Sequence, residues 1–127
     1  MRCKALSIIL FLCISLLLSG CSEILFTTAE YRTYRSFCDR HKAGTEKQDV
    51  YEKLGCPDGY VDGVGEYHHI SFADRENAAE KLYAADAVIW VYECWKYSDP
   101  AEPYRLKVSF DSAGKSVEAT MTVVPGG

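Results

Sequence analysis

Two segments near the C-terminal end of the chain alternate between apolar and polar residues, and they constrain the fold more than any other feature. In residues 104–110, YRLKVSF, the apolar positions are Leu106, Val108 and Phe110. In residues 116–124, SVEATMTVV, the positions expected to face inward are Val117, Ala119, Met121 and Val123. A period of two is typical of strands with one buried face. Because turn residues separate the segments, they are predicted to form an antiparallel hairpin.

The segment AVIWVYECWKY, residues 87–97, adds a third predicted strand because it is rich in β-branched and aromatic residues. Upstream of it, residues 58–65 contain several glycines and aspartates and are predicted to be a loop. Residues 67–72, YHHISF, have the composition of a short strand. Residues 74–86 are rich in helix formers and are predicted to be an exposed helix.

Two earlier helices are predicted from capping-box spacings, Thr27 with Glu30 and Thr45 with Gln48. The first helix is expected over residues 28–41, and the second from residue 46 to Leu54, where Gly55 and Pro57 follow. Helices first and strands last are typical of the α+β class. The predicted fold has two N-terminal helices packed on a three-stranded antiparallel sheet, with an inserted segment that contains a third helix.

The first 20 residues have the three parts of a secretory signal peptide. Arg2 and Lys4 precede an apolar run of 14 residues from Ala5 to Leu18, and small residues follow it. The run is shorter than the roughly 20 residues that a membrane-spanning helix needs. We therefore expect residues 1–20 to be cleaved, residues 21–27 to form a short tether, and residues 28–125 to form one α+β domain.

The mature chain is expected to be acidic. Without residues 1–20 it has 12 basic and 18 acidic residues, a net charge of −6 with the histidines neutral. Affinity for nucleic acid depends largely on the neutralisation of phosphates by lysine and arginine. The composition therefore argues against a nucleic-acid partner.

The sequence Leu18-Ser19-Gly20-Cys21 resembles the lipobox of bacterial lipoproteins. The resemblance implies a lipoprotein whose Cys21 carries palmitate-type acyl chains, so that the membrane is reached through the N-terminus. By the sorting rule of Gram-negative lipoproteins, Ser22 indicates the outer membrane, with the domain facing the periplasm.

A second resemblance joins several short pieces of the mature chain. They are similar to pieces of the SmpA/OmlA (BamE) family of outer-membrane lipoproteins with a BLIP-like fold. The pieces are Gly44-Thr45, Leu54-Gly55 and Pro57, followed by Trp90-Val91-Tyr92 and by YRLKVSFDSAGKSV. The resemblance implies two helices on a three-stranded sheet. It also implies a non-enzymatic role in the envelope, where relatives support the machinery that inserts β-barrels.

Three cysteines remain beyond Cys21, and an oxidising compartment favours their pairing. If the two helices fold back on each other, Cys56 lies about 10 Å from the position opposite Cys38. That separation exceeds the Cα distance that a disulfide spans. We therefore predict a disulfide from Cys94 to either Cys38 or Cys56.

No motif in the sequence predicts an enzyme or a cofactor. A zinc site built from Cys38, His41, Cys56 and Cys94 is a weak alternative, because structural zinc sites usually bring paired cysteines. His68 and His69 are adjacent on a predicted strand and point to opposite faces, so they are not expected to share an ion. Ser112 and Lys115 have a Ser-x-x-Lys spacing, but they fall in the predicted hairpin turn. We expect no catalytic residues and no metal.

Strand alternation predicts that the aromatic residues of the third strand divide between the two faces of the sheet. Trp90 and Tyr92 are expected in the core, and Trp95 and Tyr97 on or near a surface that binds a partner. The leading hypothesis is a lipid-anchored envelope protein that acts through protein–protein contacts in outer-membrane assembly or maintenance, with partners unknown. The alternative is a BLIP-like inhibitor or ligand-binding module of the periplasm.

Overall fold

The computed structural model describes residues 27–98 and 101–124, and its centre is a five-stranded antiparallel sheet. The order of the strands across the sheet is β2-β1-β3-β4-β5. Long strands β3 and β4 lie side by side, and the short strands β1 and β2 extend the sheet beyond β3. The strands are β1 (Gly59–Val61), β2 (Tyr67–His69), β3 (Ile89–Ser98), β4 (Ala101–Phe110) and β5 (Ser116–Val123).

The predicted three-stranded architecture is wrong, because residues 58–72 contribute two further strands. β1 lies within the segment that was predicted to be a loop, and it pairs with β3 so that Tyr60 is opposite Trp90. β2 then pairs with the other edge of β1. The N-terminal part of β3 would otherwise leave unpaired backbone groups at the sheet edge. The hairpin of β1 and β2 covers that edge, and the arrangement of two helices on three strands does not describe the fold.

The helices are short, and two of them begin and end near the predicted residues. They are α1 (Ala29–Arg40), α2 (Lys47–Leu54) and α3 (Ala79–Tyr83), with a 3-10 helix at Phe72–Asn77. The single helix predicted over residues 74–86 is therefore divided into two pieces. Among residues 27–98 and 101–124, no helix has both the length and the apolar character required to cross a bilayer.

Both capping predictions misassign the residue that begins the helix. Thr28, not Thr27, caps α1, because its hydroxyl oxygen accepts a hydrogen bond from the backbone N–H of Tyr31. α2 has no side-chain cap, since the hydroxyl of Thr45 donates to the carbonyl oxygen of Lys42 instead. A capping spacing thus located each helix to within about two residues but not its cap.

The hydrophobic core lies between the sheet and the short helices. Trp90 and Tyr92 of β3 and Leu106 and Val108 of β4 are completely inaccessible to solvent. Their partners from the helical side include Val50 and Leu82, which are also fully buried. The remaining buried members of the cluster are Ile70, Ala78 and Phe110.

The last strand differs from its predicted pattern at both ends. Ala119 and Met121 are partly buried opposite Val108 and Leu106, but Val117 and Val123 are more than half exposed. A register shift at Ser109 and Phe110 interrupts the alternation, so Phe110 pairs with Ser116. A one-residue irregularity moves Val117 out of the inward-facing set.

Lys47 is the one charged residue among the buried residues of the described chain. Its ammonium group donates hydrogen bonds of 3.0 and 2.9 Å to the carbonyl oxygens of Leu82 and Ala84. These carbonyls stand at the C-terminal end of α3, where intrahelical donors are missing. The ammonium also lies 5.3 Å from the ring centroid of Phe110. Lys47 therefore links α2, α3 and the sheet, and burial lowers the pKa of its side chain.

Gly59 is required by a close contact within the β1–β2 hairpin. A Cβ atom at this position would overlap the phenol ring of Tyr67. We predict that Gly59→Ala lowers the free energy of unfolding by about 1 kcal/mol, because the exposed Tyr67 ring has to move. Urea unfolding of Gly59→Ala, of Tyr67→Ala and of the double variant measures the coupling between the two positions. An equal cost of Gly59→Ala in a Tyr67→Ala background would contradict the assigned contact.

Candidate functional site

The structure places Trp95 and Tyr97 at the end of the sheet where α1 begins. Trp95 pairs with Pro103 of β4 and is half exposed. The backbone N–H of Thr28 donates to the carbonyl oxygen of Lys96 at 3.0 Å. The hydroxyl of Thr28 also donates to the carbonyl oxygen of Trp95. The N-terminal end of the described chain is thus attached directly to the strand that carries both aromatic residues.

Lys96 contacts three tyrosine rings at this end of the sheet. Its ammonium nitrogen lies 5.6 Å from the ring centroid of Tyr31, 5.2 Å from that of Tyr97 and 5.9 Å from that of Tyr104. The rings of Tyr31 and Tyr104 also meet edge to face, with centroids 5.2 Å apart. Because one cation contacts three rings, Lys96 holds these three tyrosine side chains together.

A pocket of about 440 Å³ lies next to this aromatic group. Trp95, Pro103 and Tyr104 provide apolar surface, and Asp58 and Glu93 provide carboxylates on another side. Both carboxylates already accept hydrogen bonds from arginines, at 2.8 Å from Arg75 and 3.0 Å from Arg105. Such a surface suits the side chain of a partner better than a proton-transfer reaction, which needs a free acid or base near its substrate. We call Trp95, Tyr97, Pro103 and Tyr104 the aromatic end of the sheet.

The three cysteines of the described chain are free thiols. The Cys38 thiol donates to the carbonyl oxygen of Ala119 at 3.1 Å, and the Cys56 thiol donates to that of Pro57 at 3.4 Å. Cys94 is buried, and burial together with the nearby Glu30 and Asp58 raises its pKa to about 11. Burial also raises the pKa of Cys38 and of Cys56. The disulfide from Cys94 to Cys38 or Cys56 stays a prediction.

The raised pKa values bear on the reactivity of these thiols. A thiolate, and not a thiol, is the nucleophile in cysteine chemistry and the ligand for a metal. At neutral pH the raised pKa values keep the described thiols protonated. This arrangement is typical of structural cysteines.

One group of possible metal ligands occurs among residues 27–98 and 101–124, and it does not include the cysteines. It consists of Asp62, Glu66 and His68 in the β1–β2 hairpin, whose ligand atoms lie within 4.8 Å of one another. This group is not predictable from the sequence pattern, because Asp62 and His68 come together only when the hairpin forms. A carboxylate of Asp62 accepts from the backbone N–H groups of Val64 and Glu66 and contacts His68 Nε2 at 2.7 Å. These hydrogen bonds explain why the three side chains lie together, because the Asp62 carboxylate stabilises the turn between β1 and β2.

The remaining residues discussed from the sequence lie apart from the aromatic end. His68 stacks on Tyr60 with ring centroids 4.9 Å apart, while His69 is exposed. Ser112 and Lys115 lie in the turn between β4 and β5, where Asp111 accepts from the backbone N–H of Lys115 at 3.0 Å. The predicted lipidation residue Cys21, the signal peptide and most of the tether lie outside the described residues.

Comparisons of the chain with known protein families, with curated proteins and with solved structures found no match. The similarity to the SmpA/OmlA family therefore depends on the short sequence pieces alone.

Proposed function

We propose that this chain is a lipid-anchored, non-catalytic protein of the bacterial outer membrane that acts through contacts with another envelope protein. The observation that carries the proposal is the position of the half-exposed Trp95 beside the start of α1. Thr27 is six positions after Cys21 in the chain. A chain of six residues reaches at most about 20 Å. A partner that contacts Trp95 would accordingly lie close to the acylated membrane surface.

The chemistry of the aromatic end supports a protein partner. Tryptophan and tyrosine are enriched among the residues that contribute most to binding at protein interfaces. Trp95 exposes half of its surface, whereas Trp90 of the same strand exposes none. The neighbouring Tyr97 and Tyr104 are fixed by Lys96, so little side-chain entropy would be lost when a partner binds. The resemblance to the SmpA/OmlA family supports a role in outer-membrane protein assembly.

A crosslinking experiment in native membranes tests the proposal. We expect the wild-type protein to be acylated at Cys21 and to be recovered with a specific membrane-associated protein. Trp95→Ala should reduce that recovery at least tenfold, the effect of losing an interface residue worth more than about 1.4 kcal/mol. Mass spectrometry of the membrane-bound protein measures the acylation separately.

Phe72→Ala is the matched control, because Phe72 is an exposed aromatic residue remote from Trp95 in the sequence and 90% accessible to solvent. It should leave the recovery of the partner unchanged. Equal recovery with wild type and Trp95→Ala would exclude the aromatic end as the contact surface. An unmodified Cys21 would remove the lipid anchor from the proposal.

A further inference from the structure

A groove between α1 and α2 gathers three basic side chains, and none of them forms an ion pair with a carboxylate of the described residues. The groove has a volume of about 440 Å³, and its lining includes Arg40, Lys42 and Lys53. All three residues are exposed. Arg35, Arg75 and Arg105 form ion pairs elsewhere in the described parts of the chain. We call this feature the basic groove.

The charge of the groove contrasts with that of the protein as a whole. The predicted mature chain carries a net charge of −6, so a cluster of positive charge is not expected from its composition. Arg40 and Lys53 lie in the last turns of α1 and α2, where a cation is favoured by the helix dipole. That effect does not account for Lys42, which follows the end of α1. Its presence beside the other two points to a ligand with more than one negative charge.

The other lining residues suit an organic anion rather than a bare inorganic ion. Ser36 and Thr45 bring hydroxyl groups to the groove, and Phe37 and Leu54 bring partly buried apolar surface. His41 also lines it, but burial lowers the pKa of its ring, and its Nε2 atom lies 2.7 Å from the hydroxyl oxygen of Ser116. The permanent positive charge therefore comes from the arginine and the lysines. A volume of this size accommodates a small molecule.

The position of the groove favours a ligand from the aqueous phase. α1 begins at the aromatic end, and Arg40 is 11 positions after Ala29, so it lies roughly 17 Å from the residue that starts the helix. If the lipid anchor proposed above is attached before Thr27, the groove is at the opposite end of α1 from the tether. This is the one step that depends on the proposed function.

We propose that the basic groove binds the phosphate group of a small, water-soluble phosphorylated molecule whose organic part packs on Phe37 and Leu54. A phosphate monoester carries between one and two negative charges near neutral pH. The guanidinium group of Arg40 can donate two parallel hydrogen bonds to its oxygens, and the lysines add point charges.

Calorimetric titration of the full chain in a neutral detergent with phenyl phosphate tests this inference. We expect saturable binding, weaker binding of inorganic phosphate, and none of phenol. Arg40→Gln and Lys53→Gln should each weaken the binding of phenyl phosphate about tenfold, the effect of one lost charged hydrogen bond. Circular dichroism checks that each variant is folded.

Lys107→Gln provides a matched control, because Lys107 is equally exposed but lies on β4, away from the groove. It should bind phenyl phosphate as the wild type does. Absence of saturable binding, or equal weakening by Lys107→Gln, would overturn the inference. Association with phosphatidylcholine vesicles that contain phosphatidic acid, without any binding of phenyl phosphate, would also overturn it, because the ligand would then be a lipid headgroup.

Discussion

Replacing Trp90 with alanine is expected to lower the free energy of unfolding by about 3–5 kcal/mol, the range for removal of a large buried aromatic side chain. Trp90 is inaccessible to solvent. Its ring lies 4.9 Å from that of Phe110, and its indole N–H donates to the carbonyl oxygen of Leu82 at 3.3 Å. The substitution would leave a cavity in the centre of the core and would remove one of the two hydrogen bonds that the Leu82 carbonyl oxygen accepts, leaving the one from Lys47. Urea unfolding followed by circular dichroism measures the loss.

Two further variants make this prediction specific. Trp90→Phe keeps an aromatic ring beside Phe110 but removes the indole N–H, so we expect a smaller loss of about 1–2 kcal/mol. Trp95→Ala removes the same side chain from a half-exposed position of the same strand, and its cost should be about 1 kcal/mol or less. Equal losses for Trp90→Ala and Trp95→Ala would show that the core is not centred on Trp90.

The difference between the two tryptophans could be predicted from the sequence, whereas the size of the sheet could not. Alternation along residues 87–97 is a local pattern, and it assigns Trp90 to the core and Trp95 to the opposite face. The addition of β1 to the sheet depends on the pairing of Tyr60 with Trp90, which are 30 positions apart in the chain. A strand of three residues that starts with Gly59 has too few side chains to produce a periodic pattern.

How far each candidate site could be predicted also depends on whether its residues are close together in the sequence. The aromatic end was predicted in part because Trp95 and Tyr97 are near each other in the sequence. Its organisation was not, since Lys96 reaches Tyr31 of α1 and Tyr104 of β4. The basic groove requires α1 and α2 to lie side by side, so that Lys53 comes near Arg40. Local sequence patterns thus indicate which side chains are available, and packing between elements decides which of them meet.

Asp58, which the sequence indicated only as part of a loop, reinforces the pairing of β1 with β3. Its backbone N–H donates to the carbonyl oxygen of Val91, and its backbone carbonyl accepts from the N–H of Ile70, each at 2.9 Å. Its carboxylate accepts from the backbone N–H of Glu93 at 2.7 Å and from the guanidinium group of Arg75 at 2.8 Å. Asp58 therefore contacts three separate segments of the chain: β3, the residue that follows β2, and the 3-10 helix.

We expect Asp58→Ala to lower the free energy of unfolding by about 2–4 kcal/mol, because two hydrogen bonds to a charged acceptor are lost together. Asp58→Asn can still accept from the Glu93 N–H and should cost about half as much. Arg75→Gln removes only the ion pair, and since the Arg75 side chain is 39% exposed, its cost should be at most about 1 kcal/mol. Urea unfolding at neutral pH ranks the three variants. If Arg75→Gln cost as much as Asp58→Ala, the ion pair with the 3-10 helix, and not the bond to the β3 backbone, would account for the contribution of Asp58.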